Sequence, residues 1–145
     1  MLKELCTKPV VTIGPDAPVR DAARLMRDKN VGAVVVINTG MPLGIVTDRD
    51  ITVAVVAADD DPATVTVRDV MHRDPTVIYE DKGLFDAVKV FAGTGIRRLP
   101  VVGKTGKVTG IIALDDVLML LGNEMAQVSS ALAQGLRRPR AAAAV

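Results

Sequence analysis

Residues 44–51 read GIVTDRDI, and residues 110–117 read GIIALDDV. Each stretch opens with a glycine and a short run rich in β-branched residues, which favours a buried strand. Each then passes directly into acidic residues of the kind that begin helices, near Asp48 and near Asp115. The two stretches therefore predict the same junction of a strand with a helix, formed twice in one chain.

The repetition extends outward from these junctions with a period of about 66 residues. Lys8-Pro9 matches Asp74-Pro75 at an offset of 66, the same offset that separates the two junctions. Residues 20–23 match residues 85–88 at an offset of 65, so one loop differs in length by one residue. The duplication predicts two halves of similar structure.

Each copy has the same predicted order of elements. A short β run at residues 10–13 is followed by a turn-forming cluster at 14–16, which can also cap the next helix. That helix has apolar residues at i, i+3, i+4 and i+7, which should form its buried face. They are Val19, Ala22, Ala23 and Met26 in the first copy and Leu84, Ala87, Val88 and Phe91 in the second. Two strands follow in each copy, at 33–37 and 43–47 and again at 99–102 and 107–113, before its second helix.

We therefore predict an α+β fold of two β-α-β-β-α repeats packed around a pseudo-twofold axis. An acidic break at residues 58–62 separates the repeats, because a helix is not expected to continue through it. We assign residues 1–61 to the first repeat, 62–122 to the second, and 123–145 to a C-terminal helix with a flexible basic and alanine-rich tail.

Composition argues against several classes of function. The formal net charge is +1 and aromatic residues make up 2% of the chain, so aromatic platforms for nucleic acid are not expected. Cys6 is the only cysteine and His72 the only histidine, so we expect no metal site. No P-loop, nucleophile elbow or GxGxxG sequence occurs, so we expect no catalysis. Apolar runs fall far short of the roughly 20 residues of a membrane helix, and we expect a cytoplasmic protein.

Two motifs resemble those of the CBS (cystathionine beta-synthase type) domain family. GIVTDRD at residues 44–50 is similar to the family's strand-to-helix junction, and IRRLPVV at 96–102 is similar to one of its strands. In this order, within two copies of one pattern, they resemble a tandem CBS pair over about residues 2–121. The resemblance implies a regulatory module that binds AMP, ADP, ATP, S-adenosylmethionine or NAD, without a catalytic cofactor.

The resemblance implies a nucleotide site at the first junction. Thr47 would offer a hydroxyl, and the helix that begins near Asp48 would offer unpaired N–H groups to a phosphate. Asp50 could accept both vicinal hydroxyl hydrogens of a ribose. The candidates for the adenine slot, by resemblance, are Pro9, Val10, Val11 and Thr12. The alternative interpretation is that Thr47, Asp48 and Asp50 simply cap the helix.

Arginines distinguish the two copies. Arg97 and Arg98 belong to the second copy, and the aligned positions of the first are Gly32 and Ala33. By resemblance, such arginines serve the site of the opposite repeat, where a guanidinium group can bind phosphate through two hydrogen bonds. The alternative is a solvated pair of charges. On the first interpretation, Arg98, and with it Arg97, serves the site built on Thr47 and Asp50.

The second copy has a poorer site. Ala113 stands where the first copy has Thr47, so the hydroxyl is missing. We therefore expect one good nucleotide site per chain and a second site that is weak, vacant or specific for a less charged ligand. The residues of the second site would be Asp116, Ala113, Pro75, Thr76 and Val77.

The chain after the second repeat predicts one extended helix. Its apolar residues are spaced at steps of 3, 4, 3 and 4, which is a heptad-like seam, and they are Leu118, Leu121, Met125, Val128 and Leu132. The seam either packs on its own chain or contacts a second copy, and we favour a homodimer. The basic tail at residues 136–140 is expected to be a frayed end.

Three functions follow from these patterns. The leading hypothesis is a sensor in which an adenine nucleotide changes the tilt of the repeats and so the activity of a separate partner protein. The second is a dimerisation or scaffold module that binds no ligand. The third is a nucleic-acid binder that uses Arg97, Arg98 and the tail.

Overall fold

The structure, a computed structural model, describes residues 1–137. Of the basic end at residues 136–140 that we predicted to be frayed, Leu136 and Arg137 are helical, and the residues from 138 onward lie outside the described residues. Its helices and strands are, in chain order, α1 (Leu2–Leu5), β1 (Thr12–Ile13), α2 (Val19–Lys29), β2 (Ala33–Asn38), β3 (Met41–Thr47), α3 (Asp48–Ile51), α4 (Val67–Val70), β4 (His72–Arg73), β5 (Ile78–Tyr79), α5 (Leu84–Thr94), β6 (Arg98–Val102), β7 (Val108–Ala113) and α6 (Leu114–Arg137). A π-helical turn, Thr52–Val56, continues α3.

The strands form two sheets, in the orders β1-β2-β3-β4 and β5-β6-β7. In each sheet the first strand is parallel to the second, and the second pairs antiparallel with the third. The register repeats as well, because Ala33 lies opposite Thr47 in one sheet and Arg98 opposite Ala113 in the other. The predicted α+β fold of two similar repeats is confirmed, and so is the long C-terminal helix, which has 24 residues.

Each repeat has its own apolar core between a sheet and its helices. The predicted face of α5 is buried at Ala87 and Phe91, with Leu84 and Val88 packed beside them. In α2, the residues Val19, Ala22 and Met26 are buried, but Ala23 is exposed. Leu25 packs on the core instead of Ala23, so the apolar face of α2 includes Ala22, Leu25 and Met26.

The two cores exchange short helices across the repeat boundary. Leu2 of α1 is fully buried in the core of the second repeat, and its N–H donates to the oxygen of Lys82 at 2.8 Å. Val67 of α4 is fully buried in the core of the first repeat, and its N–H donates to the oxygen of Ala17 at 2.8 Å. Each core is therefore completed by the segment that precedes the other repeat in sequence.

Two glycines allow the backbone of these exchanged segments to lie close against the sheets. A Cβ on Gly44 would lie 2.6 Å from the backbone oxygen of His72, because β4 pairs against β3 at this point. The equivalent Gly110 faces Cys6 and the backbone oxygen of Thr7. The glycine that opens each junction motif is thus required by the close approach of backbone.

The predicted cap of α2 differs from the structure. The N-cap is Pro18, which has no side-chain oxygen to offer. Asp16 instead accepts from Arg68 of the exchanged α4, at 3.2 Å. No helix within residues 1–137 combines the length and the apolarity that crossing a membrane requires.

Candidate functional site

The junction of β3 with α3 is closed by a capping box. The Asp50 N–H donates to Thr47 Oγ1 at 3.1 Å, and the Thr47 N–H donates to Asp50 Oδ2 at 2.8 Å. The Asp48 N–H donates to the oxygen of Gly32, and the Arg49 N–H to Asp48 Oδ1. The prediction that unpaired N–H groups face a ligand here is wrong, because a threonine and an aspartate three residues apart satisfy each other's backbone.

The second oxygen of the Asp50 carboxylate also has a partner. His72 Nε2 lies 2.8 Å from Asp50 Oδ1. Because an ionised carboxylate only accepts hydrogen bonds, the imidazole nitrogen is the donor. The Asp50 side chain is 14% exposed, whereas the His72 side chain is 74% exposed. The histidine ring therefore lies over a carboxylate that is nearly buried.

A cleft of about 360 Å³ opens beside this corner. Its size is within the range of small-molecule sites, about 300–1,000 Å³. Its walls come from both repeats and from the segment that joins the two sheets. They are Ile45, Thr47, His72, Arg73, Asp74, Pro75, Thr76, Ile96, Arg97 and Arg98. The structure thus brings Thr47, Arg97 and Arg98 together, as predicted.

The apolar slot beside Thr47 is built from a different segment than predicted. Pro75 and Thr76, which we had assigned to the second site with Val77, line the cleft of Thr47. They reach it because β4 pairs with β3 immediately before them. The sequence comparison assigned Pro75 and Thr76 to the wrong junction because it could not anticipate the exchange of α1 and α4.

The segment predicted for the first site runs instead beside the second junction. Thr7, two residues before Pro9, pairs with Ile111, two residues before Ala113. Beyond it, the oxygen of Val11 accepts from the N–H of Val35, and Thr12 lies in β1 opposite the same residue. Pro9, exposed, and Val10, half-buried, follow this pairing and do not line the cleft beside Thr47.

Arg98 is the cation best placed to bind an anion in the cleft. Its side chain is half-buried, and its Nη2 lies 3.2 Å from the point that a Cβ on Gly32 would occupy. Within residues 1–137 it makes no ion pair. Arg97, by contrast, donates to Asp115 at 3.2 Å, and both side chains are exposed.

The second junction has the same backbone and fewer functional groups. The Ala113 N–H donates to Asp116 Oδ2 at 3.3 Å, which reproduces half of the first capping box. The strand register places Ala33, without charge, at the position that corresponds to Arg98. The Asp116 residue is exposed, and Thr7 occupies the strand position that corresponds to His72.

Five cleft residues were not predicted as site residues, and two of them, Ile45 and Ile96, lie within the motifs that resemble the CBS family. The other three, His72, Arg73 and Asp74, lie in the exchanged segment of the second repeat and end with the aspartate of the Asp-Pro step that the sequence comparison matched to Lys8-Pro9. Only the knowledge that this segment pairs with β3 could have placed them beside Thr47.

The CBS domain family matches the chain twice, over residues 2–57 and 67–123. The CBS domain-containing protein YhcV of Bacillus subtilis is 36% identical over 129 residues, which cover 89% of each protein. An uncharacterized protein of Methanopyrus kandleri is 36% identical over 118 residues, which cover 81% of this chain and 60% of that protein. The chain therefore spans less than two thirds of the length of the latter relative.

Solved structures share this fold. A CBS domain pair in complex with 5′-methylthioadenosine and S-adenosyl-L-methionine matches with a TM-score of 0.76 at 24% identity, over 86% of this chain and 97% of that one. A CBS domain protein from Pyrobaculum aerophilum complexed with AMP matches with a TM-score of 0.73 at 24% identity, over 84% and 98%. The hexameric CBS-CP12 protein of bloom-forming cyanobacteria matches with a TM-score of 0.72 at 36% identity, over 81% and 65%.

Proposed function

The chain belongs to the CBS domain family, and from this premise we propose that it is a regulatory module without catalysis of its own. The module binds an adenosine-containing ligand in the cleft between its repeats. Occupation of the cleft changes the arrangement of the repeats and thereby the activity of a separate partner protein. Such regulation requires that the ligand bind one arrangement more tightly than another.

The observation that carries this proposal is the position of Arg98. A half-buried guanidinium group without an ion-pair partner in residues 1–137 gains most from an anion that reaches it. Phosphate suits this group, since its oxygens match the two parallel N–H bonds of a guanidinium fork. Arg73 and Arg97 line the same cleft, so its lining has three arginines and one carboxylate, Asp74.

The remaining walls suit the other parts of a nucleotide. Ile45, Pro75 and Ile96 give apolar surface against which a flat base can pack. The hydroxyl of Thr47 accepts the Asp50 N–H and still has its own hydrogen to donate. AMP and S-adenosyl-L-methionine, the ligands bound by two structural relatives, share the adenosine that these groups would recognise.

The two clefts are proposed to differ in affinity. The first joins the Thr47 hydroxyl with Arg98, whereas the pocket of about 250 Å³ beside the second junction joins Arg97 and Arg98 with Ala113, which has no hydroxyl, and with the Asp115 carboxylate, which repels an anion. The second cleft, with Asp116 and the segment around Pro9 and Val10, is therefore weak for phosphorylated ligands or takes a less charged one. Asp116→Asn should change AMP affinity less than twofold, whereas Asp50→Asn should reduce it.

Helix α6 is the proposed site of self-association. Four residues of its apolar seam, Leu118, Met125, Val128 and Leu132, are 60 to 65% exposed, while Leu121 packs against the second core. Between residues 117 and 136 the helix has a single charged residue, Glu124, so two copies can pair along the seam with little repulsion. The proposed assembly is a homodimer.

Calorimetric titration tests the nucleotide site. AMP, ATP and S-adenosylmethionine are titrated into the wild type, into Arg98→Met and into Arg20→Met, which removes an exposed arginine of α2 outside the cleft. Arg98→Met should weaken AMP binding by roughly tenfold or more, because a hydrogen bond to a charged group contributes about 1.5–3 kcal/mol. At 100 times its dissociation constant, a bound ligand should also add about 2.7 kcal/mol to the free energy of unfolding.

The controls separate the hypotheses. Arg20→Met should bind AMP like the wild type. If none of these ligands binds the wild type, the module is a scaffold and the sensing function is wrong. If AMP binds equally to the wild type and to Arg98→Met, the cleft described here is not the site.

A further inference from the structure

His72 forms a hydrogen bond with the Asp50 carboxylate, the group that would bind a ribose. Asp50 Oδ1 accepts from His72 Nε2 at 2.8 Å, and Oδ2 accepts from the Thr47 N–H at 2.8 Å. The Asp50 side chain is 14% exposed, and Asp50 is not among the residues that line the cleft, whereas His72 is. Each carboxylate oxygen keeps a second lone pair, but a ligand hydroxyl in the cleft can reach it only past His72, so the hydroxyl and the imidazole N–H compete for access to Asp50.

The second junction supplies an internal comparison. His72 pairs with Ile45 in the first sheet, and Thr7 pairs with the equivalent Ile111 in the second. Threonine at this position leaves the Asp116 carboxylate exposed, with one hydrogen bond from the Ala113 N–H. The hydrogen bond that covers Asp50 therefore depends on His72 and is not repeated at Asp116.

We propose that His72 is an internal competitor for Asp50, which lowers the affinity of the first cleft and is released from the carboxylate when a nucleoside binds. The proposal rests on the proposed function, in which Asp50 receives the ribose hydroxyls. The ring is 74% exposed, so it can swing away from Asp50 without loss of core packing. The competition costs the ligand one hydrogen bond to a carboxylate.

The release of His72 is also a route by which occupancy reaches the rest of the chain. His72 belongs to β4, a strand of two residues that pairs only with β3. The chain continues from β4 through Pro75 and Thr76 to β5, in the second sheet. Loss of the hydrogen bond between His72 and Asp50 therefore acts on the segment that connects the two sheets.

A double-mutant cycle with AMP tests the competition. The variants are His72→Thr, which installs the residue of the second junction, Asp50→Asn, and the combination of the two. His72→Thr should bind AMP roughly 3- to 10-fold more tightly than the wild type, as expected for one hydrogen bond regained by the ligand. In the Asp50→Asn background the same substitution should leave AMP affinity unchanged, since the carboxylate for which the imidazole competes is gone.

Nuclear magnetic resonance of the imidazole gives a readout that needs no ligand. His72 is the only histidine in the chain, so its ring resonances can be assigned without ambiguity in a protein freed of its purification tag. Asp50→Asn should shift these resonances in the free protein, and AMP should shift those of the wild type in the same direction.

The outcomes distinguish the two levels of the argument. If AMP binds the wild type and His72→Thr equally, or if AMP leaves the imidazole resonances unmoved, the competition is overturned while the nucleotide site stands. If neither protein binds an adenosine ligand, the proposed function fails and the competition fails with it. Imidazole resonances that are insensitive to Asp50→Asn would show that the pair does not form in solution.

Discussion

Arg98 of the second repeat lies against Gly32 of the first, with Arg98 Nη2 3.2 Å from the point that a Cβ on residue 32 would occupy. The Asp48 carboxylate lies 3.3 Å from the same point. Any side chain at residue 32 would therefore enter the space used by the guanidinium group. The glycine keeps open the position in which Arg98 can meet an anion.

Gly32→Ala should weaken AMP binding by roughly 2- to 5-fold, because the new methyl group displaces the guanidinium and loosens a charge-assisted hydrogen bond. The free energy of unfolding should stay the same or rise by less than about 1 kcal/mol, since alanine restricts the unfolded chain and the displaced atoms end a flexible side chain. Titration and urea denaturation measure the two effects. Gly14→Ala, with open space around it, is the control and should change neither quantity much.

Gly44→Ala should lower the free energy of unfolding by about 2–3 kcal/mol, because its Cβ would meet the backbone oxygen of His72, which can move only if β4 leaves β3. The matched substitution is Gly93→Ala in α5, where no atom lies within 4 Å. It should raise stability by about 0.5–1 kcal/mol, since glycine disfavours a helix interior. Denaturant titration of both variants measures the difference, and equal effects would mean that the approach of β4 to Gly44 does not constrain the fold.

Leu2→Ala should cost about 2–5 kcal/mol, the range for deleting a fully buried leucine side chain. Leu5→Ala removes a side chain that is 41% exposed in the same short helix and should cost much less. Hydrogen exchange should show protection lost first in β6 and β7, because Leu2 packs in the second core. Loss confined to β2 and β3 would contradict the exchange of helices.

The double substitution Met125→Lys and Leu132→Lys should convert a dimer, of twice the 15.3 kDa chain mass, to a monomer in sedimentation experiments. Two ammonium groups in the seam would have to lose water for the helices to pair. The control is Gln127→Lys with Gln134→Lys, which adds the same charge at the same spacing off the seam. A wild type that sediments as a monomer would contradict self-association through α6.

Much of the fold could be predicted from the sequence because its signals are local. The duplicated junction motifs and the apolar stripe of α5 reflect strand and helix periods that need no knowledge of distant residues. The alignment of Arg98 with Ala33 also agrees with the strand register, because each lies opposite the last residue before the second helix of its repeat.

The exchange of α1 and α4 could not be predicted, because these four-residue helices have no period to recognise and their packing depends on residues far along the chain. As a consequence, Pro9 was predicted to lie beside Thr47, where the structure places Pro75. The pairing of His72 with Asp50, 22 residues away, was missed for the same reason. At Thr47 the interpretation as a helix cap was correct for the backbone, whereas the prediction of unpaired N–H groups was wrong.

Because α1 and α4 each complete the core of the other repeat, this single polypeptide is equivalent to two subunits joined end to end. A lone repeat would leave its hydrophobic interior open where the reciprocal arm belongs, and could close it only by associating with another copy that offers one. Half-length fragments split in the acidic break should accordingly be incomplete apart and complement one another when mixed. The cleft then corresponds to a boundary between two such subunits that a covalent tether holds together, so its two ends can differ in sequence while sharing one architecture.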